Sequence, residues 1–164
     1  MESFFVLFVC TANMCRSPTA HGIFKKKIAE HGLAPSVRVD SAGTHDFCIG
    51  EPPDARSREH AARRGYDISD LRARQIQDVD FESADLILVM DLSNLALVQQ
   101  RCPPAHQGKV RKLIEFCRAA SSEIVPDPYR GEPRDFDHVL DLIEDACEGL
   151  IWHVREARGK AKGS

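Results

Sequence analysis

The stretch F-F-V-L-F-V-C-T-A-N-M-C-R-S-P, from Phe4 to Pro18, decides the fold. Its opening run, Phe4–Val9, is continuously apolar, which is typical of a strand covered on both faces in a parallel sheet. Pro18 is suited to the first turn of a helix, and apolar residues then recur at helical spacing as far as a stop at Gly32. The stretch therefore predicts a strand, a short loop that begins at Cys10, and a helix.

The same order of strand and helix recurs along the chain. Strands are predicted at Val37–Ser41, Leu86–Met90 and Val110–Phe116, and helices at Ala55–Arg64, from the candidate N-cap Ser93 to Gln100, and at Phe136–Arg158. Alternation with short connections favours an α/β fold, a single domain with a twisted four-stranded parallel sheet and helices on both faces. Ligands of such sheets bind beyond the carboxyl ends of the strands, where Cys10 lies.

Bulk composition limits the class of protein. A chain of 164 residues that is 43% hydrophobic suits one domain with a proper core, here residues 1–158, followed by a polar, disordered tail over residues 159–164. A net charge of -3, from 22 basic and 25 acidic residues, argues against nucleic acid as the main partner. The acidic N-terminus and short apolar run fit neither a signal peptide nor a membrane span, so we expect a cytoplasmic protein with no membrane partner. No long exposed apolar stripe is evident, so a monomer is expected.

The cysteine pattern gives no sign of a metal site or of disulfides that staple the fold. No pair among the 6 cysteines has the CxxC spacing of a metal site, and the histidines show no metal spacing either. We expect most of the cysteines to be reduced thiols and no metal to be bound.

The loop from Cys10 to Pro18 is suited to phosphate or another tetrahedral oxyanion. A loop that leaves a strand and enters a helix turns its backbone N–H groups inward, and the helix N-terminus adds partial positive charge. Arg16 offers a planar fork to two phosphate oxygens. These donors favour the thiolate form of Cys10, which becomes the predicted nucleophile. Ser17 is predicted to donate its hydroxyl to that thiolate, and Asn13 to adopt a left-handed conformation at the tightest bend.

Phosphate transfer also needs an acid, and V-P-D-P-Y at Val125–Tyr129 offers one. Asp127 lies between two prolines that stiffen the loop, and Tyr129 is placed to flank a flat substrate ring. An isolated aspartate in such a segment is more often a turn residue than a catalytic acid. Only the fold can bring Asp127 close to Cys10.

Three features allow two readings each: the pair Cys10 and Arg16, the thiol of Cys15, and the ring of Phe47. The pair Cys10 and Arg16 alone recurs by chance in many sequences, and a buried cysteine is commonly inert. Cys15 either packs under the loop or traps an oxidised Cys10 as a disulfide. Phe47 is either a core residue or a wall of the cleft, and the polar residues around it favour the wall.

Several segments together resemble the low-molecular-weight protein tyrosine phosphatases over nearly the whole chain. The matching segments are V-L-F-V-C-T-A-N-M-C-R-S-P (Val6–Pro18), V-D-S-A-G-T (Val39–Thr44), I-G-E-P-P-D (Ile49–Asp54), A-R-Q-I (Ala73–Ile76), V-M-D-L-S-N (Val89–Asn94) and D-P-Y (Asp127–Tyr129). The resemblance implies a four-stranded parallel sheet, no metal or organic cofactor, and hydrolysis of phosphotyrosine in proteins through a phosphocysteine.

The resemblance also implies a role for each matching residue. It places the nucleophile at Cys10, the phosphate-binding arginine at Arg16, the supporting serine at Ser17 and the general acid at Asp127. The residues expected to line or shape the substrate site are Thr11, Ala12, Asn13, Met14, Cys15, Phe47 and Tyr129, with Phe47 and Tyr129 as aromatic walls and Cys15 as the second thiol.

The chain departs from the family pattern at three places. Ala12 stands where the family has glycine, so either the position needs no positive φ or strain is tolerated. Leu71 stands where the family has a histidine that helps to hold the loop asparagine, here Asn13. Without this histidine, the bend at Asn13 is expected to be less stiff. Cys48 and Arg130 stand at variable positions beside the cleft, so no peptide preference carries over.

Three other functions compete with this interpretation. An arsenate reductase of this fold needs a cysteine relay, yet residues 82–101 contain no cysteine and Cys102 alone cannot complete one. Protein arginine phosphatases carry a small threonine at the position of Met14, whose apolar bulk favours a phenyl ring over a guanidinium. A non-catalytic phosphotyrosine-binding module would have no need of Cys10, Arg16 and Asp127 together.

Overall fold

The computed structural model describes the backbone of residues 3–163 and the side chains of residues 3–159. The strands are β1 (Phe4–Cys10), β2 (Val37–Gly43), β3 (Leu86–Val89) and β4 (Val110–Lys112), and the α-helices are α1 (Arg16–Glu30), α2 (Ala55–Arg63), α3 (Asp78–Ser83), α4 (Leu92–Arg101) and α5 (Pro133–Gly163). Short 3-10 helices lie at Ala34–Ser36, Pro104–Lys109 and Leu113–Phe116.

The four strands form one sheet in the order β2-β1-β3-β4, and every pairing is parallel, which confirms the predicted fold class. The sheet is covered on both faces. Side chains of β1 alternate between two hydrophobic layers: Val6 and Phe8 pack with α1 and α5, whereas Leu7 and Val9 pack with α3 and α4. This two-sided burial is the reason for the continuous apolar run in the sequence.

The order of the strands fixes where a ligand can bind. β2 lies on one side of β1 and β3 on the other, so the chain winds in opposite directions from β1. Cys10 is the last residue of β1 and therefore lies at this switch point, where the crevice of a doubly wound sheet opens.

The fourth strand is shorter than predicted. β4 ends at Lys112, and Leu113–Phe116 form a 3-10 helix instead of continuing the strand. The carboxylate of Glu115 accepts a 3.0 Å hydrogen bond from the backbone N–H of Lys112 and so caps this helix. Because apolar side chains of this short helix are buried in the core, periodicity could not separate it from a strand.

Several helix ends also differ from the sequence-based expectation. The N-cap of α4 is Asp91, whose carboxylate accepts from the backbone N–H of Asn94 at 2.8 Å, and not Ser93. Helix α3 was not predicted, because a single short amphipathic turn gives little periodic signal. Helix α5 begins at Pro133 and continues through Gly163, beyond the predicted end at Arg158.

The predicted tail, residues 159–164, lies mostly outside the described side chains, and its disorder stays a prediction. In the described part of the chain, no helix has the length and apolar character needed to cross a membrane.

Candidate active site

The loop between β1 and α1 (residues 10–17, the β1–α1 loop) turns at Asn13. Asn13 has a φ of 59°, the left-handed conformation that the sequence predicted, and it is the sole non-glycine residue with a positive φ in the described chain. Ala12 therefore does not have a positive φ, and alanine in place of the family's glycine causes no backbone strain from a left-handed conformation.

The buried amide of Asn13 is held from both sides. Its Nδ2 donates to Ser17 Oγ at 2.7 Å, and its Oδ1 accepts from the backbone N–H of Arg74 at 3.0 Å. Leu71, at the position of the family's histidine, instead packs against the hydrophobic core. The bend is thus braced by a serine and a backbone amide without a histidine.

The end of β2 lies directly against the β1–α1 loop. The backbone N–H groups of Thr44 and His45 donate to the carbonyls of Cys10 and Thr11 at 2.9 and 3.0 Å. A Cβ at Gly43 would lie 2.8 Å from the carbonyl oxygen of Thr11, closer than real Cβ contacts. A glycine is required here by close approach and not by φ, and sequence analysis did not single it out.

Cys10 Sγ lies 3.0 Å from Ser17 Oγ. Ser17 Oγ already accepts from Asn13, so its single proton is directed either to Cys10 Sγ or to the carbonyl of Ala42 at 3.3 Å. When Cys10 is a thiolate it has no proton to give, and Ser17 must then be the donor. The contact therefore stabilises negative charge on the sulfur.

The guanidinium of Arg16 is held by two hydrogen-bond acceptors, and Arg16 also lines the cavity. Its Nη1 donates to Asp91 Oδ2 at 2.7 Å and to the carbonyl of Val125 at 2.9 Å. Its Nη2 lies 4.0 Å from Asp127 Oδ2. Asp91 was not among the predicted site residues, although it follows β3 within a matching motif, at the same edge of the sheet as Cys10.

The segment 125–129 brings Asp127 into the lining of the cavity, beside Arg16. Its start is pinned to the sheet edge, where the N–H of Val125 donates to the carbonyl of Met90 at 2.8 Å. The Asp127 carboxylate is 53% exposed, and its Oδ1 accepts from the N–H of Tyr129 at 3.1 Å. The fold thus joins residues more than a hundred positions apart.

The β1–α1 loop and the segment 125–129 both contribute to the lining of a cavity of about 610 Å³. Its lining includes most of the predicted site: Cys10, Thr11, Ala12, Met14, Cys15, Arg16, Phe47, Asp127 and Tyr129. Asn13 and Ser17 lie behind this lining and support it. The cavity also contains Cys48, Glu51, Asp54 and Arg130, which were not predicted as site residues. Phe47 and Tyr129 are 69% and 57% exposed, which favours cleft walls over core residues.

Cys15 is buried beside the nucleophile candidate. Burial raises the pKa of the Cys15 thiol to about 12, outweighing a hydrogen bond with Ser57 that acts in the opposite direction, and nearby Asp54 adds to the increase. Cys15 is therefore a neutral thiol at physiological pH. All six cysteines of the structure are free.

In the part of the chain whose side chains are described, no three His, Cys, Asp or Glu side chains are grouped as metal ligands would be. Two features of the site suit an anion: the Arg16 guanidinium lines the cavity, and α1 begins at this same residue.

Comparisons with known proteins agree with this geometry. The family model described as low molecular weight phosphotyrosine protein phosphatase matches residues 5–160. The low molecular weight protein-tyrosine-phosphatase of Streptomyces coelicolor is 38% identical over 92% of this chain and 93% of its own length. The low molecular weight phosphotyrosine protein phosphatase of Homo sapiens is 36% identical over 89% of this chain and 92% of its own length.

A crystal structure of a protein tyrosine phosphatase from Entamoeba histolytica, with Hepes in its active site, superposes with a TM-score of 0.92. It is 39% identical and covers 95% of this chain and 99% of its own. The likeness therefore extends over both the fold and the sequence.

Proposed function

Because the chain belongs to the low molecular weight phosphotyrosine protein phosphatase family, we propose that it hydrolyses phosphotyrosine in proteins through a phosphocysteine intermediate. Members of this family are hydrolases that act on phosphotyrosine. The single observation that carries the proposal is the meeting of three groups at one cavity. Cys10, Arg16 and Asp127 all line this cavity, and Arg16 Nη2 lies 4.0 Å from the Asp127 carboxylate.

In the first step, the thiolate of Cys10 attacks phosphorus while the bond from phosphorus to the phenolic oxygen breaks. The free edge of Arg16 and the loop amides bind the remaining phosphate oxygens and stabilise their charge. Asp127, as the protonated acid, transfers its proton to the departing phenolate. The products of this step are the phosphocysteine and a neutral tyrosine side chain.

In the second step, a water molecule attacks the phosphocysteine. The Asp127 carboxylate, now ionised, accepts a proton from this water, and the bond from sulfur to phosphorus breaks. The leaving thiolate of Cys10 receives the hydroxyl hydrogen bond of Ser17, which stabilises it as it forms. Inorganic phosphate then leaves and the starting state of the site is restored.

The walls of the cavity support an aromatic substrate. Phe47 and Tyr129 expose large ring surfaces, and Met14 adds an apolar side chain to the lining. A phenyl ring between these walls carries its phosphate to the floor of the cavity. A related protein, Wzb of Vibrio vulnificus, has been crystallised in complex with benzylphosphonate, which joins a phenyl ring to a tetrahedral phosphonate.

The proposal is tested by hydrolysis of phosphotyrosine, phosphoserine and phosphoarginine peptides without added metal. Wild type is expected to cleave the phosphotyrosine peptide, and Cys10→Ser to lose turnover on the order of 10³-fold or more while it still binds vanadate. Cys102→Ser, a change of the same type at a buried cysteine outside the cavity, is the control and should retain activity.

A preference for the phosphoarginine peptide would instead support an arginine phosphatase. Binding without cleavage of any peptide by wild type would support a non-catalytic phosphotyrosine-binding module. The cytoplasmic location, the monomeric state and the lack of a nucleic-acid partner stay predictions from the sequence.

A further inference from the structure

Arg56, in the first turn of α2, has no role in the chemistry described above, yet it is more firmly held than an exposed arginine usually is. Its guanidinium forms a fork with Asp54, with Nε 3.2 Å from Oδ1 and Nη2 3.0 Å from Oδ2. The side chain is 44% exposed, so this pairing is not forced by burial. A bidentate pair fixes both the position and the plane of the guanidinium.

The fixed guanidinium contacts two aromatic rings. Its central carbon lies 5.3 Å from the ring centre of Tyr129 and 4.7 Å from that of Phe136. Phe136 is a buried residue near the start of α5, whereas Tyr129 is 57% exposed and forms a cavity wall. Arg56 therefore connects the exposed ring of Tyr129 to a rigid part of the core through cation–π contacts.

Tyr129 is in turn joined to the candidate acid. Its backbone N–H donates to Asp127 Oδ1 at 3.1 Å, within the same short segment. The Asp127 carboxylate also lies 4.0 Å from Arg16 Nη2. A displacement of Tyr129 therefore moves the group that orients the Asp127 carboxylate.

Asp54 joins the same assembly to the β1–α1 loop. Its backbone N–H donates to the carbonyl of Met14 at 2.9 Å, and its carboxylate caps α2 by accepting from the N–H groups of Arg56 and Ser57 at 2.8 and 3.3 Å. Burial alone would raise the pKa of Asp54, but these hydrogen bonds and the Arg56 charge bring that pKa below its ordinary value. Asp54 is thus ionised and available to Arg56 at neutral pH.

We propose that Arg56 is a positioning residue that holds the Tyr129 wall, and through it the Asp127 carboxylate, in register with the β1–α1 loop. The path of contacts runs from Met14 through Asp54 and Arg56 to Tyr129. This inference rests on the proposed function, because Arg56 acts here through the general acid of that reaction. A displacement of a catalytic group by about 1 Å can slow a reaction on the order of 10²-fold, so the loss of the Arg56 contacts should appear in the acid-dependent step.

The experiment compares Arg56→Met, which keeps the length of the side chain but removes the fork and the charge, with wild type. The substrates are aryl phosphates whose leaving groups range from phenol to strongly acidic phenols. We expect kcat/KM of Arg56→Met to fall about tenfold for phenyl phosphate and less than about twofold for the most acidic phenol, since only poor leaving groups need the acid. Arg56→Lys keeps the positive charge but cannot form the bidentate pair, and its kcat/KM for phenyl phosphate should lie between those of wild type and Arg56→Met.

Two controls separate positioning from a general loss of structure. Arg63→Met removes an arginine from the same helix that pairs with Glu59 in solvent, and it should leave kcat/KM unchanged for every substrate. In the Asp127→Ala background, Arg56→Met should add less than about a twofold further loss, because the group that it positions is already absent.

With an active wild type, any of three results for Arg56→Met overturns the inference. Its kcat/KM falls equally for all leaving groups, its kcat/KM does not fall at all, or the fall is as large in the Asp127→Ala background as in wild type. A wild type that fails to hydrolyse any aryl phosphate overturns the proposed function instead. The two failures are therefore distinguishable in one set of assays.

Discussion

The two sides of the cavity are built in opposite ways. On the β1–α1 loop, the side chains of Asn13, Arg16 and Ser17 are almost completely buried, and each hydrogen-bonds to a partner that is itself held by the sheet or by a helix. On the segment 125–129, Asp127 and Tyr129 are more than half exposed and are held by a few contacts at their edges.

The difference follows from what each side must do in the proposed reaction. An anion cradle gains from rigidity, because its donors must point at the phosphate before the substrate arrives. An acid must reach the oxygen of a leaving group that extends out of the cavity, so it cannot be buried with the cradle. Rigidity on the exposed side is then supplied by side chains from α2 and not by burial.

The largest effect is expected from Asp127→Ala, which removes the chemistry of the exposed side. We expect kcat/KM for phenyl phosphate to fall by about 10²–10³-fold, with a much smaller loss for aryl phosphates with acidic leaving groups. Because the carboxylate is 53% exposed, the free energy of unfolding should change by less than about 0.5 kcal/mol. Steady-state kinetics and urea denaturation of the same preparation give both values. Equal slowing for good and poor leaving groups would remove Asp127 from the acid role.

A smaller effect on activity, coupled to a loss of stability, is expected from Gly43→Ala on the buried side. The new Cβ would lie 2.8 Å from the carbonyl oxygen of Thr11 and 3.0 Å from the carbonyl carbon of Ala12, so the β1–α1 loop must shift. We expect a loss of about 1–3 kcal/mol in the free energy of unfolding and about a tenfold lower kcat/KM for all leaving groups.

Gly108→Ala is the matched control for this change, because nothing lies within 4 Å of a Cβ at Gly108. If Gly43→Ala were as stable and active as Gly108→Ala, the buried side would be more tolerant than its packing indicates. A loss confined to poor leaving groups would place the damage on the segment with Asp127 instead.

The same contrast separates what the sequence could predict from what it could not. The strand β1 and the bend at Asn13 were predicted correctly, because burial on two faces and a left-handed turn leave local signals in residue type. Asp91 and Gly43 were missed as site residues, because their roles are contacts with Arg16 and Thr11 that only the folded chain creates. Arg56 is a similar case, since nothing near it in sequence indicates a contact with Tyr129.

Even the errors in the fold have this origin. The segment after Lys112 reads as a continued strand, yet it forms a short 3-10 helix whose apolar side chains are buried against α5 and the core. Burial explains why those residues are apolar, but it does not decide between the two backbones. The choice comes from the tertiary packing, as it does for the side chains of the missed site residues.

The smallest effect at neutral pH is expected from His21, which makes the buried side sensitive to acid. His21 is a buried residue of α1, and its Nδ1 lies 3.2 Å from Ser41 Oγ on β2. Burial lowers its pKa from the usual 6.5 to about 4, with Lys25 and Arg74 adding to the decrease and Asp40 opposing it. The folded protein therefore holds His21 neutral at a pH where the unfolded chain binds a proton.

This difference determines the sign of the pH dependence. Above pH 6.5 both states are neutral and His21 costs nothing, whereas between pH 6.5 and about 4 the unfolded state gains a proton and stability is lost progressively. Wild type should thus lose about 2 kcal/mol of unfolding free energy between pH 7.5 and pH 5 from this residue. Urea denaturation at both pH values should show that the free energy of unfolding falls less between pH 7.5 and pH 5 in His21→Gln than in His138→Gln. His138 is an exposed histidine and serves as the control. An equal loss of stability in the two variants would mean that the acid sensitivity does not come from the burial of His21.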